Sequence, residues 1–315
     1  MRLATAIEEF VGYKRALGAS YKGENNRLLA FLRTTGDLQL KSITKEHIDA
    51  HLPIPGNKIV TSGWFKKYET LNRFFTFTIG RGYMRHRVLP DLLPEKPPAF
   101  VPYIYSLDDM RNLLGVPDNH YSPLSPLAPY TMRVFLVFLY GTGLRLGEAI
   151  KLKSQDVDPE AAILTVRDTK FFKSRLVPIG DDLLQILRQY WNRRSPFESK
   201  LPDTPFFCTR RGIAVRHDHA DHQFQWLRME AGVLRFDNAR FQPRLHDFRH
   251  TFAVSRLTSW YREGKDVQRL LPHLSTYLGH VSIEETATYL RMTAELLTEA
   301  NSRFESYSLG EGHHA

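Results

Sequence analysis

Cysteine is nearly missing from this sequence: Cys208 is the single one in 315 residues. An internal disulfide is therefore excluded, and a zinc site built on several thiolates is too. Long apolar runs are also lacking. The longest, "VFLVFLY" at 134–140, is closed by Arg133 on one side and "GTG" on the other. It falls far short of the ~20 apolar residues of a membrane helix and reads as a buried one. At the N-terminus, "MRLATAIEEF" puts Glu8 and Glu9 where a secretion signal needs unbroken apolar sequence, so a cytoplasmic location is expected. Acidic residues are outnumbered, 34 against 43 basic ones, for a net charge of +9 and a pI near 9.5. Such an excess favours a polyanionic partner.

The positive charge is unevenly spread. Residues 1–100 hold sixteen Lys or Arg against nine Asp or Glu. They are interleaved with aromatics and hydroxyls, as in "TSGWFKKYETLNRFF", which suits a helical surface lying on a phosphate backbone. The same region reads as four helices. "ATAIEEFVGYKRAL" stops at Gly18 and "ENNRLLAFLRTTG" at Gly36, "SITKEHIDAHL" opens on capping residues, and "SGWFKKYETLNRFFTFTIGRG" ends on a glycine pair. Then comes "LPDLLPEKPPAFVP", whose Pro90, Pro94, Pro97, Pro98 and Pro102 forbid regular structure and mark a linker.

The second segment opens with the capped helix "YSLDDMRNLL". "AAILTVRDTKFFKSRLVPI" alternates on both sides of a polar turn and predicts a β-hairpin, to which "PFFCT" would add a third strand. The rest is helical. The expected fold is mainly α with a small antiparallel β-sheet. An all-α domain spans 1–90, a proline-rich linker 91–102, a mixed α/β domain 103–300 and a tail 301–315.

Several residues carry chemistry. Arg145 follows a glycine turn at a helix start, where an arginine fork adds to the anion preference of the backbone. "RLHDFRHTFA" puts His246 and Arg249 on one helix face. Lys170 lies in the "DTKFFKSR" turn and His280 in "YLGHVS". A further cluster, "RHDHADH" at 216–222, supplies His217, Asp218, His219, Asp221 and His222, but its spacing matches no closed metal site and it reads as a loop and helix start.

"LGHVSIEETATYLR" at 278–291 holds the last of these residues. Ser282 and Glu285 have capping-box spacing, so a helix should begin near Ile283. Ile283, Ala287, Leu290, Ala294 and Leu297 then form an apolar stripe. At ~100° per residue, Tyr289 falls about 120° from the stripe's centre, on a flank with Thr286 and Thr293. A lone tyrosine so placed is ordinarily a helix-edge aromatic; one accompanied by arginines and histidines can be a nucleophile.

Taken in order, "TGLR..GE", the hairpin lysine, "HDFRHT", "LGH" and "T..Y" resemble the tyrosine recombinases, the phage integrase family. The resemblance runs over about residues 5–300, including an all-α core-binding domain and a linker. "LPHLSTYLGHVSIEETATYL" looks more like recombinases of transposons and multi-recombinase mobile elements than like the Xer type. The resemblance implies a site-specific recombinase in which Arg145 and Arg249 clamp the scissile phosphate and His280 and His246 hydrogen-bond it. Tyr289 then attacks phosphorus, and Lys170 protonates the leaving oxygen. It implies a 3′-phosphotyrosyl intermediate, no ATP, no metal and no other cofactor. Glu148 and His250 match supporting positions, while Gly147 departs from the small hydroxyl residue usual there. The implied partners are double-stranded DNA and related recombinases in a homo- or hetero-tetramer, at the nucleoid of a bacterial cytoplasm and not at a membrane. A type IB topoisomerase and a catalytically inactive DNA-binding accessory protein are the rival expectations.

Overall fold

Residues 1–54, 60–97, 100–167, 174–194, 201–237, 239–291, 296–299 and 301 are described by a computed structural model, in which the chain divides into two compact units, Met1–Ala99 and Phe100–Ala315. In the first unit, apolar residues at helical spacing build α1 (Leu3–Ala16), α2 (Lys22–Thr35), α3 (Lys45–His51) and α4 (Ser62–Gly80). Phe10, Phe31, Phe74 and Phe75 are fully buried between them. Thr61 caps α4 by accepting from the Trp64 backbone N–H at 3.3 Å, and the Trp64 indole donates to the Leu52 carbonyl at 3.2 Å. Leu89 belongs to this core, and the Tyr68 hydroxyl donates to the Pro90 carbonyl at 3.2 Å. The proline-rich segment thus starts by packing on its own unit, and residues 91–97 form neither helix nor strand.

The second unit begins with α5 (Leu107–Gly115), closed by reciprocal bonds between Ser106 and Asp109 of 3.0 and 2.8 Å. Next comes α6 (Pro129–Thr142), the "VFLVFLY" helix. Proline at its first position presets the backbone, and Phe135, Leu136 and Phe138 are wholly buried. It stops because Gly143 turns left-handed, φ +60°. That stop aims the chain into α7 (Leu146–Lys151), with Arg145 at its N-cap.

A three-stranded antiparallel sheet follows, β1 (Val157–Asp158), β2 (Ile163–Val166) and β3 (Arg175–Pro178), in that order. The hairpin pairs Leu164 with Val177 and Val166 with Arg175. The "PFFCT" segment is not the third strand. Phe206, Phe207 and Cys208 are buried, with the two phenylalanines meeting edge to face at 5.1 Å. Their side chains serve the core, while the backbone makes only isolated bridges at Pro205 and Cys208.

The remaining helices are α8 (Asp181–Arg193), α9 (His217–Glu230), α10 (Asp247–Arg262), α11 (Val267–Leu278) and α12 (Ile283–Ala287), followed by a 3-10 turn at Thr288–Arg291. The fold class read from sequence, mainly α with a small antiparallel sheet, is the one found. The histidine cluster forms the first turns of α9, where His217 Nδ1 lies 2.9 Å from Asp221 Oδ2, one turn away. Residues 296–299 return as helix, with Leu296 fully buried and Glu299 accepting from Arg262 at 2.8 Å, so this stretch packs on its own chain.

Gly143 is where space and backbone both demand glycine. A Cβ there would meet the Phe252 ring at 2.5 Å, in a conformation that side chains rarely adopt. Gly143→Ala should cost about 1–3 kcal/mol, read as a lower urea midpoint with unchanged m-value.

Candidate active site

Three arginines converge on the last carbonyls of α11. The helix dipole leaves negative partial charge there, and its final carbonyls lack intrahelical partners. Arg249, on α10, donates through Nη2 to the Leu278 carbonyl at 2.8 Å and through Nη1 to the Gly143 carbonyl at 3.0 Å. Arg145 reaches the Gly279 carbonyl at 3.0 Å and the Leu278 carbonyl at 3.5 Å. Arg175, on β3, donates through Nε to the Tyr277 carbonyl at 2.8 Å. Glu148 ties two of them together. It takes a fork from Arg175 at 3.0 and 2.8 Å, and it accepts from the Arg145 side chain at 3.0 Å and backbone N–H at 3.1 Å. Burial works against its ionisation, but the bonds from Arg175 and Arg145 outweigh that and lower its pKa. The start of α7, open to an anion in the sequence reading, is therefore occupied by the chain's own carboxylate.

Arg249 is 2% exposed, and burial, with Arg145 nearby, pulls its pKa down to about 10. It is still cationic at neutral pH. His280 follows the left-handed Gly279 that ends α11, and its Nδ1 lies 2.6 Å from the Thr286 hydroxyl. Burial and the Arg249, Arg145 and Arg175 charges push the His280 pKa down to about 3. His250 falls to about 3 through burial, His246 and Arg244. Burial, and then the Arg249 and Arg244 charges, lower the pKa of His246 at the N-cap of α10. All three imidazoles are neutral at pH 7.

Tyr289 joins them, but not as the helical projection placed it. Its ring lies 5.9 Å from that of His280 and 5.5 Å from that of His250, and the residue is 3% exposed. Ile283 and Leu297, expected to face the core, are 42% and 50% exposed, whereas Thr286 is buried. The reason is local geometry. True α-helix ends at Ala287, and tighter winding over Thr288–Arg291 rotates Tyr289 inward. The Ser282–Glu285 capping box is absent as well: Ser282 occupies the N-cap without a side-chain cap bond. Burial raises the phenol pKa, opposed by Arg249 and Arg145.

A groove of about 950 Å³ reaches the Arg145, Glu148 and His246 edge of this cluster, its wall carrying Lys151, Arg167, Arg228 and Arg244 together with Asp221 and Glu285. The structure brings Arg145, Glu148, His246, Arg249, His250, His280 and Tyr289 together. Lys170 lies outside the described residues. Arg175 escaped the sequence reading. Its signal is an arginine two residues before Val177, hence on the strand's buried face, where a charge needs a partner.

The buried histidines predict acid sensitivity. Unfolded histidine takes a proton near pH 6.5, and folded His250 and His280 resist until about 3. Between those values the unfolded state binds more protons, so stability present above pH 6.5 is lost as pH falls. A thermal-melt series from pH 7 to 4 should show a falling Tm, and replacing both residues by glutamine should flatten the slope.

The phage integrase family matches residues 107–295. A putative integrase/recombinase of Sinorhizobium fredii, y4rB, is 35% identical over 95% of this chain and 96% of its own length. The tyrosine recombinase XerA of Thermococcus kodakarensis is 28% identical over 71% of each chain. The Tn1549 transposon integrase, solved with transposon right end DNA, superposes with a TM-score of 0.66 over 98% of this chain and all of the other, at 15% identity. With the family's matched region covering α5 to the Tyr289 turn and full-length kinship to an integrase/recombinase, this chain belongs to the phage integrase family of tyrosine recombinases.

Proposed function

We propose that the chain is a site-specific DNA recombinase that cleaves and rejoins strands through Tyr289, in the service of a mobile element. The observation that carries this reading is the convergence of Arg145, Arg249, His280 and Tyr289 at the end of α11, with Arg145 also lining an arginine-rich groove. A phosphodiester gains charge on its non-bridging oxygens as it is attacked. Arg145 and Arg249 answer that charge, so their stabilisation grows toward the transition state. In the tautomer where the Thr286 hydroxyl, 2.6 Å away, donates to Nδ1, neutral His280 keeps a proton on Nε2 and can donate it to the same oxygens.

The Tyr289 oxygen bonds to phosphorus and the bond to the 5′-oxygen breaks, leaving a 3′-phosphotyrosyl link. The phenolic proton passes to water as the new bond forms, with Arg249 and Arg145 favouring the anion. Lys170 donates a proton to the departing 5′-oxygen. Attack by a 5′-hydroxyl from another strand then reverses the step on a new partner, without ATP or metal. Buried Tyr289 must move outward for this, so DNA binding draws the 288–291 turn toward the groove. Strand exchange requires four active sites, supplied by copies of this chain or by related recombinases. The mobile-element assignment rests on the 271–290 motif and on the integrase relative.

Two results are expected. A nicked suicide duplex should trap a covalent adduct on the wild-type protein, and Tyr289→Phe should lower its yield at least ~10³-fold while keeping the fold, since the phenyl body remains buried. An adduct undiminished in that variant, or joined through a 5′-phosphate, would refute the assignment. In gel shifts, Lys151→Ala and Arg244→Ala should each weaken binding on any sequence and reduce the salt slope by about 1.

A further inference from the structure

We infer that Arg175 is a positioning residue for the cleavage step: it does not touch the phosphate, but it sets where Arg145 and Arg249 stand. The inference rests on the recombinase reading above and adds to it a residue outside the motifs that led there.

Arg175 is 11% exposed and uses its whole guanidinium inside the protein. Two nitrogens fork onto Glu148, and Nε donates to the Tyr277 carbonyl. Glu148, only 10% exposed, is the sole carboxylate shared between Arg175 and Arg145 among the described residues. Its two oxygens receive four N–H donors from these residues, two from each. Remove Arg175, and a buried carboxylate loses half its donors. Arg145 is then the nearest replacement, so its guanidinium should be pulled inward, away from the groove.

Arg175 also holds the end of α11. Tyr277, Leu278 and Gly279 present successive carbonyls to Arg175, to Arg145 with Arg249, and to Arg145. Arg175 pins the first, and so fixes the rotation of the helix end that seats the other two. Packing is tight on this side too. At Gly279, φ +68°, a Cβ would stand 2.7 Å from Arg175 Nη1. The turn that delivers His280 is therefore built against the same guanidinium. Through one residue, strand β3 is coupled to both phosphate-facing arginines and to the His280 turn. Lysine cannot replace it, because a single ammonium lacks the planar fork that holds Glu148 and Tyr277 at once.

The test is single-turnover adduct formation on a suicide duplex at saturating DNA, with affinity measured separately by gel shift and folding checked by circular dichroism. Arg175→Lys and Arg175→Ala should each slow adduct formation by at least ~10-fold and leave affinity within about 3-fold. Added guanidinium ion should restore part of the rate to Arg175→Ala, by filling the vacated fork site. In an Arg145→Ala background, Arg175→Ala should add much less than its separate effect, because it acts through the residue already lost. A residue that merely stabilises the fold would give multiplicative losses and no rescue by the small cation. Should Arg175→Ala misfold, the lysine variant alone decides. A wild-type rate in Arg175→Lys, or full multiplicativity with Arg145→Ala, overturns the inference while leaving the recombinase reading intact. No adduct from the wild-type protein would instead overturn that reading, and this inference with it.

Discussion

The C-terminal end of α11 is the constraint on which the site depends. A helix end exposes carbonyls with no partner of their own, and here three guanidiniums supply the partners. Dipoles hold a cation in place without neutralising it. Had three carboxylates done the same work, the cluster would be electrically quiet and of little use to a phosphate. One carboxylate, Glu148, serves two arginines, so the group retains a positive excess. The nearby histidines add no charge at neutral pH, because burial and the same arginines keep them deprotonated. The result is a fixed electropositive seat with neutral hydrogen-bonding groups beside it, one edge of which, at Arg145 and His246, lines a groove.

That arrangement explains how distant parts of the chain cooperate. Gly143 ends α6 and offers its carbonyl to Arg249, so the turn that aims Arg145 also fixes the second arginine. The sheet contributes through Arg175, which reaches back to α7 and α11. Tyr105 stacks on Phe248 at 4.2 Å, and its backbone N–H donates to Thr251, holding α10 against the start of the unit. Tyr289 packs against His250 and His280 in this assembly, its phenol disfavoured as an anion by burial and favoured by Arg249.

Much of this was legible in the sequence, and the exceptions have physical causes. Glycine stops, the Ser106 cap, the hairpin and the His246–Arg249 face rest on local rules, and each holds where the chain is described. Arg175 was missed because its value lies in partners 27 and 102 residues away, which no local pattern encodes. Tyr289 stands beside His280 and His250, but buried and not on the flank where the projection placed it. The projection assumed continuous α-helix through residues that wind as 3-10 after Ala287, and a threonine expected on the flank proved to be buried beside His280. "PFFCT" looked like a strand because apolar runs of that length serve strands and core loops alike.

The central claim is that the Tyr289 oxygen takes the phosphate. The most direct measurement is to trap the adduct on a suicide duplex, digest protein and DNA, and sequence the nucleotide-bearing peptide by mass spectrometry. The account predicts a 3′-linked nucleotide on the 283–291 segment, carried by Tyr289. A nucleotide on another tyrosine of the same unit, such as Tyr261 or Tyr277, would contradict it.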